Sequence, residues 1–346
     1  MRGSRAQRLL MACGLACLTG GALAGGAVPE AATGWPLAWQ VQGQLDHPLV
    51  GRIWQPATRT WANPQTLDQA IDAAHFVLLG ETHDNPDHHR LQAQLLQRMV
   101  RAGRHPAVAF EMLDLGQQPA LDAWRAHANG KAAGLGAAVG WDKTGWPSWA
   151  FYQPIAEVAL AASLLIVPAN LPTAEVKAVA MKGLAALGAV RVRELGLAQP
   201  LAGKWRDVML DDLYQSHCQL MPKAALAGMV DAQRSRNAIM ALRLQQDGTH
   251  DGAVLIAGAG HARNDFGVPM QLHQRDAAAS VLSVALIEVQ ADRLKPADYA
   301  AGYGVRQLPF DYVIFTPRAE RADPCVALRQ RFASKAAGRS GSGSPD

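Results

Sequence analysis

The stretch His75-Phe-Val-Leu-Leu-Gly-Glu-Thr-His83 runs from aliphatic residues directly into a glutamate and a histidine. The same arrangement recurs at Ala107-Val-Ala-Phe-Glu111 and at Ala253-Val-Leu-Ile-Ala-Gly-Ala-Gly-His261. Short, nearly unbroken aliphatic runs are typical of strands buried on both faces of a parallel sheet. Ligands gather at the carboxyl ends of such strands. The sequence therefore predicts one site at that edge, formed by Glu81, His83, Glu111 and His261.

Strand-like and helix-like segments alternate along most of the chain. This alternation predicts a three-layer α/β domain with a mostly parallel central sheet, formed by residues 46–172 and 223–330. Residues 173–222 have helical patterning and no clear strand, which predicts a smaller inserted helical subdomain. Residues 130–140 are rich in glycine and alanine, so we expect a mobile loop there.

The two ends of the chain have compositions unlike the rest. Residues 1–24 combine a basic start, an apolar stretch and the cleavage sequence Ala22-Leu-Ala24, which predicts a signal peptide. The protein is then periplasmic or otherwise extracytoplasmic. Apolar residues before Cys13 and Cys17 form weak lipoprotein signals, so a lipid anchor stays open. Residues 335–346 are predicted to be a disordered tail.

Charge and cysteine content narrow the choice of function. Without residues 1–24, which carry three arginines and no acid, 30 basic side chains stand against 29 acidic ones. The charges are therefore nearly balanced, and the sequence contains no basic stripe. Both observations argue against nucleic acid as a partner. Cys218 and Cys325 remain after signal removal, and an oxidising compartment favours a disulfide between them. Two buried free thiols are the alternative.

Two imidazoles and two carboxylates at one sheet edge can bind a metal or move protons. The spacing Gly-x-x-His occurs at Gly80-Glu-Thr-His83 and at Gly258-Ala-Gly-His261. Each glycine lets the backbone turn sharply off its strand, so that the histidine can point over the edge. Asp84 could orient His83, and Arg263 could pair with a carboxylate of a ligand or of the protein.

Two further polar pairs lie on predicted helices. His88 and His89 fall in a first helical turn, where we expect them to be solvated or at the rim of the site. Gln233 and Asn237 interrupt an apolar stripe on the long helix that follows Pro222. Because buried amides need partners, these two side chains either bond a loop or reach the site.

Four stretches of the chain resemble the ChaN-like haem-binding uptake family: Phe76–His89, Val108–Met112, Val167–Asn170 and Gly258–His261. The resemblance extends from about Gly51 to Pro317, and the family is similar to Tiki/TraB proteins and erythromycin-esterase-type hydrolases. It implies a parallel α/β domain with a smaller helical part. It also implies a role in haem or iron acquisition outside the cytoplasm.

The resemblance implies haem as the suspected cofactor. Haem binding needs an apolar slot and an axial ligand, usually His, Met, Cys or Tyr. An outer-membrane haem transport system and a homodimer are the partners to consider. The other hypothesis is a hydrolase of a small substrate or peptide that uses a divalent metal at the Glu/His site. The candidate cofactor-binding residues are Tyr152, Tyr303, His83, His261 and Arg263.

Overall fold

The computed structural model describes residues 38–127 and 132–340. The predicted signal peptide lies outside the described residues, as do the last six residues of the predicted tail. The described chain contains eight strands: β1 (Ile53–Gln55), β2 (Thr60–Ala62), β3 (Phe76–Glu81), β4 (Ala107–Asp114), β5 (Ile166–Asn170), β6 (Ala253–Gly258), β7 (Val281–Glu288) and β8 (Tyr312–Thr316).

All eight strands belong to one sheet, in the order β2-β1-β8-β7-β3-β6-β4-β5. Strand β1 runs antiparallel to both of its neighbours, and the other pairs are parallel. The prediction of a mostly parallel central sheet is therefore confirmed. The aliphatic runs explain the result, since every residue of β3, β5, β6 and β8 is buried.

Helices cover both faces of the sheet, so the domain has three layers. Their bounds are α1 (Pro64–Ala73), α2 (Pro86–Arg101), α3 (Gln118–His127), α4 (Leu135–Ala138), α5 (Trp149–Ala161), α6 (Thr173–Lys182), α7 (Ala189–Glu194), α8 (Gly203–Ser216), α9 (Lys223–Asp247), α10 (Val268–Arg275) and α11 (Pro324–Ser340). Successive side chains of a strand point to opposite faces. Accordingly, Val77 and Leu79 pack in the core under α2 and α5, whereas Phe76 and Leu78 pack in the core under α9 and α10.

Residues 173–222 contain three α-helices, a 3₁₀ turn at Leu184–Leu187 and no strand. The three helices pack along α9, through one apolar cluster near Leu195 and a second one around Met209. Helix α9 has 25 residues and is the longest described helix. Among the described residues, no helix is both long enough and apolar enough to cross a membrane.

Two expectations from the sequence were wrong in detail. Residues 132–138 form helical turns rather than a loop, because Leu135 and Val139 are buried in the core. Gly136 permits close packing here, since a Cβ at that position would lie 2.6 Å from Cγ of Trp149. Helix α11 also extends to Ser340, so residues 335–340 of the predicted tail are helical.

Cys218 and Cys325 form the predicted disulfide, with their Cα atoms 5.5 Å apart. The bridge joins the connection between α8 and α9 to the first turn of α11. We expect the denatured, unreduced protein without residues 1–24 to show no reactive thiol in a titration, because both of its cysteines are bridged. Two titratable thiols per chain would contradict this assignment.

Candidate functional site

Three neighbouring strands carry the four predicted polar residues to one edge of the sheet. Strand β6 lies between β3 and β4. Glu81 ends β3 and stands in register with Gly258, the last residue of β6. Glu111 lies in β4, and His261 follows Gly258 in the next turn of chain. Contacts described below connect these side chains into one cluster.

Glu81 and His83 form a close pair on the first of these strands. Nδ1 of His83 lies 2.6 Å from Oε1 of Glu81. The Tyr152 hydroxyl also donates to Oε1, over 3.5 Å. Glu81 is only 3% exposed, and its Oε2 is a buried oxygen with no hydrogen-bond partner among the described residues. The carboxylate therefore binds and orients the imidazole of His83 from inside the protein.

Glu81 also controls the protonation of His83. Burial alone would lower the pKa of His83, but the hydrogen bond and charge of Glu81, helped by the charge of Glu111, raise it to about 9. The side chain of His83 keeps 34% of its surface exposed. At neutral pH His83 is therefore an imidazolium, and its side chain is partly exposed to solvent.

This pKa has a consequence for stability. Because the pKa of His83 rises from 6.5 to about 9 on folding, its ion pair stabilises the protein fully below pH 6.5, and this contribution is lost as pH approaches 9. After allowance for the partial exposure of the ring, we expect a loss of about 1–2 kcal/mol. Denaturant unfolding of wild type and of His83→Gln should differ by this amount at pH 6 and converge above pH 9. A difference that is constant with pH would contradict the ion pair.

Glu111 is the most heavily bonded carboxylate of the site. Its Oε2 accepts a hydrogen bond from the Gly258 N–H, over 2.7 Å. Its Oε1 accepts one from the Arg236 guanidinium and lies 3.3 Å from Nε2 of His261. Burial would raise the pKa of Glu111, but His261 and the charge of Arg236 hold it well below its usual value. Glu111 is therefore an ionised, buried carboxylate.

Asn237 fixes the orientation of His261. Its Nδ2 donates to the Phe266 carbonyl over 3.1 Å, so its Oδ1 is free to accept from Nδ1 of His261 over 2.6 Å. Burial lowers the pKa of His261, although the charge of Glu111 and its hydrogen bond with His261 oppose this shift. The bond to Asn237 places a proton on Nδ1 and turns Nε2 toward Glu111. One of the two amides on the long helix thus reaches the site.

Arg236 is a site residue that the sequence reasoning missed. Its Nε donates to Oδ1 of Asn170 over 3.2 Å, and the Asn170 amide donates to the Glu111 carbonyl over 2.9 Å. Gln233 accepts a bond from the same guanidinium over 3.1 Å. The available signal was the arginine directly before Asn237, inside the one polar turn of an otherwise buried helix face.

Gly258 leaves room at the centre of the cluster. A Cβ at this position would lie 2.9 Å from Nε2 of His83 and 3.6 Å from Oε2 of Glu111. Any larger residue would therefore press on the imidazole. The described residues form no hydrogen bond to Nε2 of His83, and the ring lies 4.8 Å from the half-buried ring of Trp146.

The other three candidate cofactor-binding residues, Tyr152, Tyr303 and Arg263, are each held by contacts within the protein. Tyr152 is fully buried, and burial together with the charge of Glu81 raises its pKa, which opposes the phenolate form. Tyr303 packs against Phe310 and Arg263, and burial raises its pKa to about 12. Arg263 is 1% exposed and bonds two protein carboxylates, those of Asp212 and Asp265.

His88 and His89 are fully buried, so the expectation of solvated rim residues was wrong. Nδ1 of His88 accepts from the Thr82 N–H over 2.8 Å, and His89 bonds the His83 carbonyl over 3.0 Å. Both imidazoles therefore brace the turn that carries His83. Asp84 does not orient His83, because its carboxylate pairs with Arg321 instead.

A divalent-metal centre finds no support in this geometry. Within residues 38–127 and 132–340, no three His, Cys, Asp or Glu side chains are arranged to share a metal ion. The reason is visible at Glu111, whose two oxygens already serve Arg236 and the Gly258 N–H.

Comparison with known proteins gives a family and a fold. The family described as "Haem-binding uptake, Tiki superfamily, ChaN" matches residues 67–272. The structure of ChaN of Campylobacter jejuni, described as showing cofacial heme binding, aligns with a TM-score of 0.56 at 22% identity, covering 76% of this chain and 95% of that one. No curated protein matches the chain.

Two other solved structures align less well. The type III effector HopBA1 gives a TM-score of 0.39 at 13% identity, over 73% of this chain and 92% of that one. A mutant of the erythromycin esterase EreC in its open conformation gives 0.37 at 12% identity, over 75% of this chain and 95% of that one.

Proposed function

The chain belongs to the haem-binding uptake family of the Tiki superfamily that includes ChaN, and from this premise we propose that it binds haem. We further propose that it does so outside the cytoplasm, as a component of haem or iron uptake. The ChaN structure from C. jejuni is itself described as a heme complex. Export is the expectation raised by residues 1–24.

The observation that supports haem binding best is the state of His83. A histidine that ligates iron uses one ring nitrogen for the metal and usually donates the other ring N–H to a carboxylate. Nδ1 of His83 already has that partner in Glu81, at 2.6 Å. Nε2 has no hydrogen bond to the described residues and lies beside the backbone of Gly258, where even a Cβ would come within 2.9 Å of it. About a third of the His83 side chain is exposed (34%). We therefore propose that Nε2 of His83 would hold the haem iron, with Nδ1 bonded to Glu81.

The surroundings of His83 fit an apolar ring. The half-buried indole of Trp146 lies 4.8 Å from the imidazole, measured between ring centroids, and the His83 side chain is partly exposed. Haem, when bound, supplies an iron centre that takes an axial nitrogen. The protein's own part is to hold the Nδ1 proton of His83 at Glu81, so that the imidazolium would give up its Nε2 proton when that nitrogen binds iron. Behind His83, Glu111 contacts both Arg236 and His261 and so connects the ends of β4 and β6 with α9.

A haemin titration tests this function. We expect the purified protein to bind haemin saturably and to give a defined Soret band, because a fixed axial ligand sets the electronic state of the iron. Tyr152→Phe and Tyr303→Phe should leave that band in place, since neither phenol is presented as a phenolate. Haemin that binds without saturation, or a band that shifts in a tyrosine variant, would overturn the assignment of His83.

A further inference from the structure

A second concave site lies on the other side of His261, toward the inserted helices. This cavity has a volume of about 210 Å³, is lined by residues of α8, α9 and the connection that follows β6, and is open to solvent on one side. His261 contributes to its wall, but Glu81, His83 and Glu111 do not. His83, which we propose as the iron ligand, therefore lies outside this cavity.

The body of the cavity is apolar. Met209 and Leu213 project from α8, and Phe266 closes the opposite wall. These three side chains are at most 8% exposed and belong to one hydrophobic cluster. A flexible thioether such as that of Met209 can adapt to the outline of a ligand. An apolar cavity of about 150 Å³ can hold benzene, so a volume of about 210 Å³ leaves room for a substituted ring.

A small number of polar lining groups would orient a ligand in the cavity. Its inner wall is the pair His261 and Asn237, which are 8% and 2% exposed and already bonded to each other. The free hydrogen-bonding capacity comes from two other lining residues. Asp212 uses one carboxylate oxygen for Arg263 and keeps the second. Gln233 accepts from Arg236 through Oε1 and retains its amide N–H groups.

We propose that this cavity binds a small single-ring or branched molecule that carries one hydroxyl group. The ring or chain contacts Met209, Leu213 and Phe266, which gives the hydrophobic part of the affinity. A hydroxyl both donates and accepts, so it satisfies the free oxygen of Asp212 and the amide of Gln233 together. An amine offers no acceptor to Gln233, and a carboxylate is repelled by Asp212. This site is additional to haem binding and does not depend on it.

Two probes of nearly equal size distinguish this site from a purely apolar cavity. p-Cresol and p-xylene differ only by a hydroxyl in place of a methyl group. We expect calorimetry to show p-cresol binding about tenfold more tightly, because a purely apolar cavity would prefer p-xylene and only paired polar groups reverse that order. Equal binding, tighter p-xylene binding, or no heat with either probe at millimolar concentration would overturn the proposal.

A substitution that fills the cavity tests whether p-cresol binds there. Ser216 lines the mouth at the end of α8 and is exposed, so Ser216→Phe should fold normally and weaken p-cresol at least about tenfold by steric exclusion. Gln215→Phe, one position away and outside the lining, is the matched control and should bind p-cresol as wild type does. Unchanged p-cresol binding in Ser216→Phe would refute the location.

A second variant tests the polar part and keeps the two sites distinguishable. Gln233→Leu removes the amide and should reverse the preference, so that p-xylene binds more tightly than p-cresol. A retained preference for p-cresol would contradict the role of Gln233. The haemin titration of Ser216→Phe should match that of wild type, because His83 lies outside this cavity. Failure of haemin binding in wild type would therefore leave the p-cresol result standing.

Discussion

Replacing Glu111 by Ala should lower the free energy of unfolding by about 3–5 kcal/mol. Glu111 is 1% exposed and accepts bonds from Arg236 and from the Gly258 N–H, so its removal leaves a buried guanidinium and a buried N–H without partners. Breaking a buried ion pair by deleting one member typically costs this much, because the remaining charge stays desolvated. Urea unfolding at neutral pH would measure the loss.

Two further variants show whether the ion pair is the cause. Glu157→Ala removes an exposed carboxylate from α5 and should leave the unfolding free energy nearly unchanged. Adding Arg236→Met to Glu111→Ala should restore part of the lost stability, because the stranded charge disappears with its partner. If Glu111→Ala unfolds within about 1 kcal/mol of wild type, or if the second substitution only adds to the damage, the pair does not hold the site together.

The strands that carry the site could be predicted from the sequence because burial on both faces leaves a clear local record. Residues 76–81 and 253–258 are aliphatic at nearly every position, and no solvated face interrupts them. Chain topology then brings Glu81 and His261 together, since neighbouring parallel strands end at a common edge. The disulfide was predicted from the number of cysteines and from the compartment that residues 1–24 lead us to expect.

The missing parts depend on how helices are rotated against the sheet, which local patterns do not encode. Arg236 reaches Glu111 because α9 is rotated so that its polar residues face the carboxyl ends of β4 and β6. His88 and His89 look like surface residues by their position in a first helical turn, yet the turn packs directly under His83. Residues 132–138 are similar, because Gly136 packs against Trp149, which belongs to a later helix.

His83→Gln should weaken haemin binding by about 100-fold and remove the defined Soret band. Glutamine keeps most of the volume of the side chain but offers no imidazole nitrogen, so the iron loses its axial ligand. His105→Gln is the matched control, since the side chain of His105 is 60% exposed and bonds only its own turn and Asp251. Its haemin affinity should equal that of wild type.

Glu81→Gln separates orientation of the ligand from ligation itself. The substituted amide still accepts from Nδ1 of His83 but withdraws the negative charge, so the imidazole becomes a poorer donor to iron. We expect haemin affinity to fall about tenfold, with the Soret band retained but shifted. Haemin binding that is unaffected by both His83→Gln and Glu81→Gln would place the axial ligand elsewhere in the protein.

The most direct measurement is resonance Raman spectroscopy of the ferrous haem complex, which detects the stretching band of an iron–imidazole bond. The wild-type complex should show this band, His83→Gln should lack it, and Glu81→Gln should show it at lower frequency because the imidazole has lost its anionic partner. An iron–phenolate band in the ferric wild-type complex, or an iron–imidazole band that persists in ferrous His83→Gln, would contradict the assignment of His83 as the axial ligand.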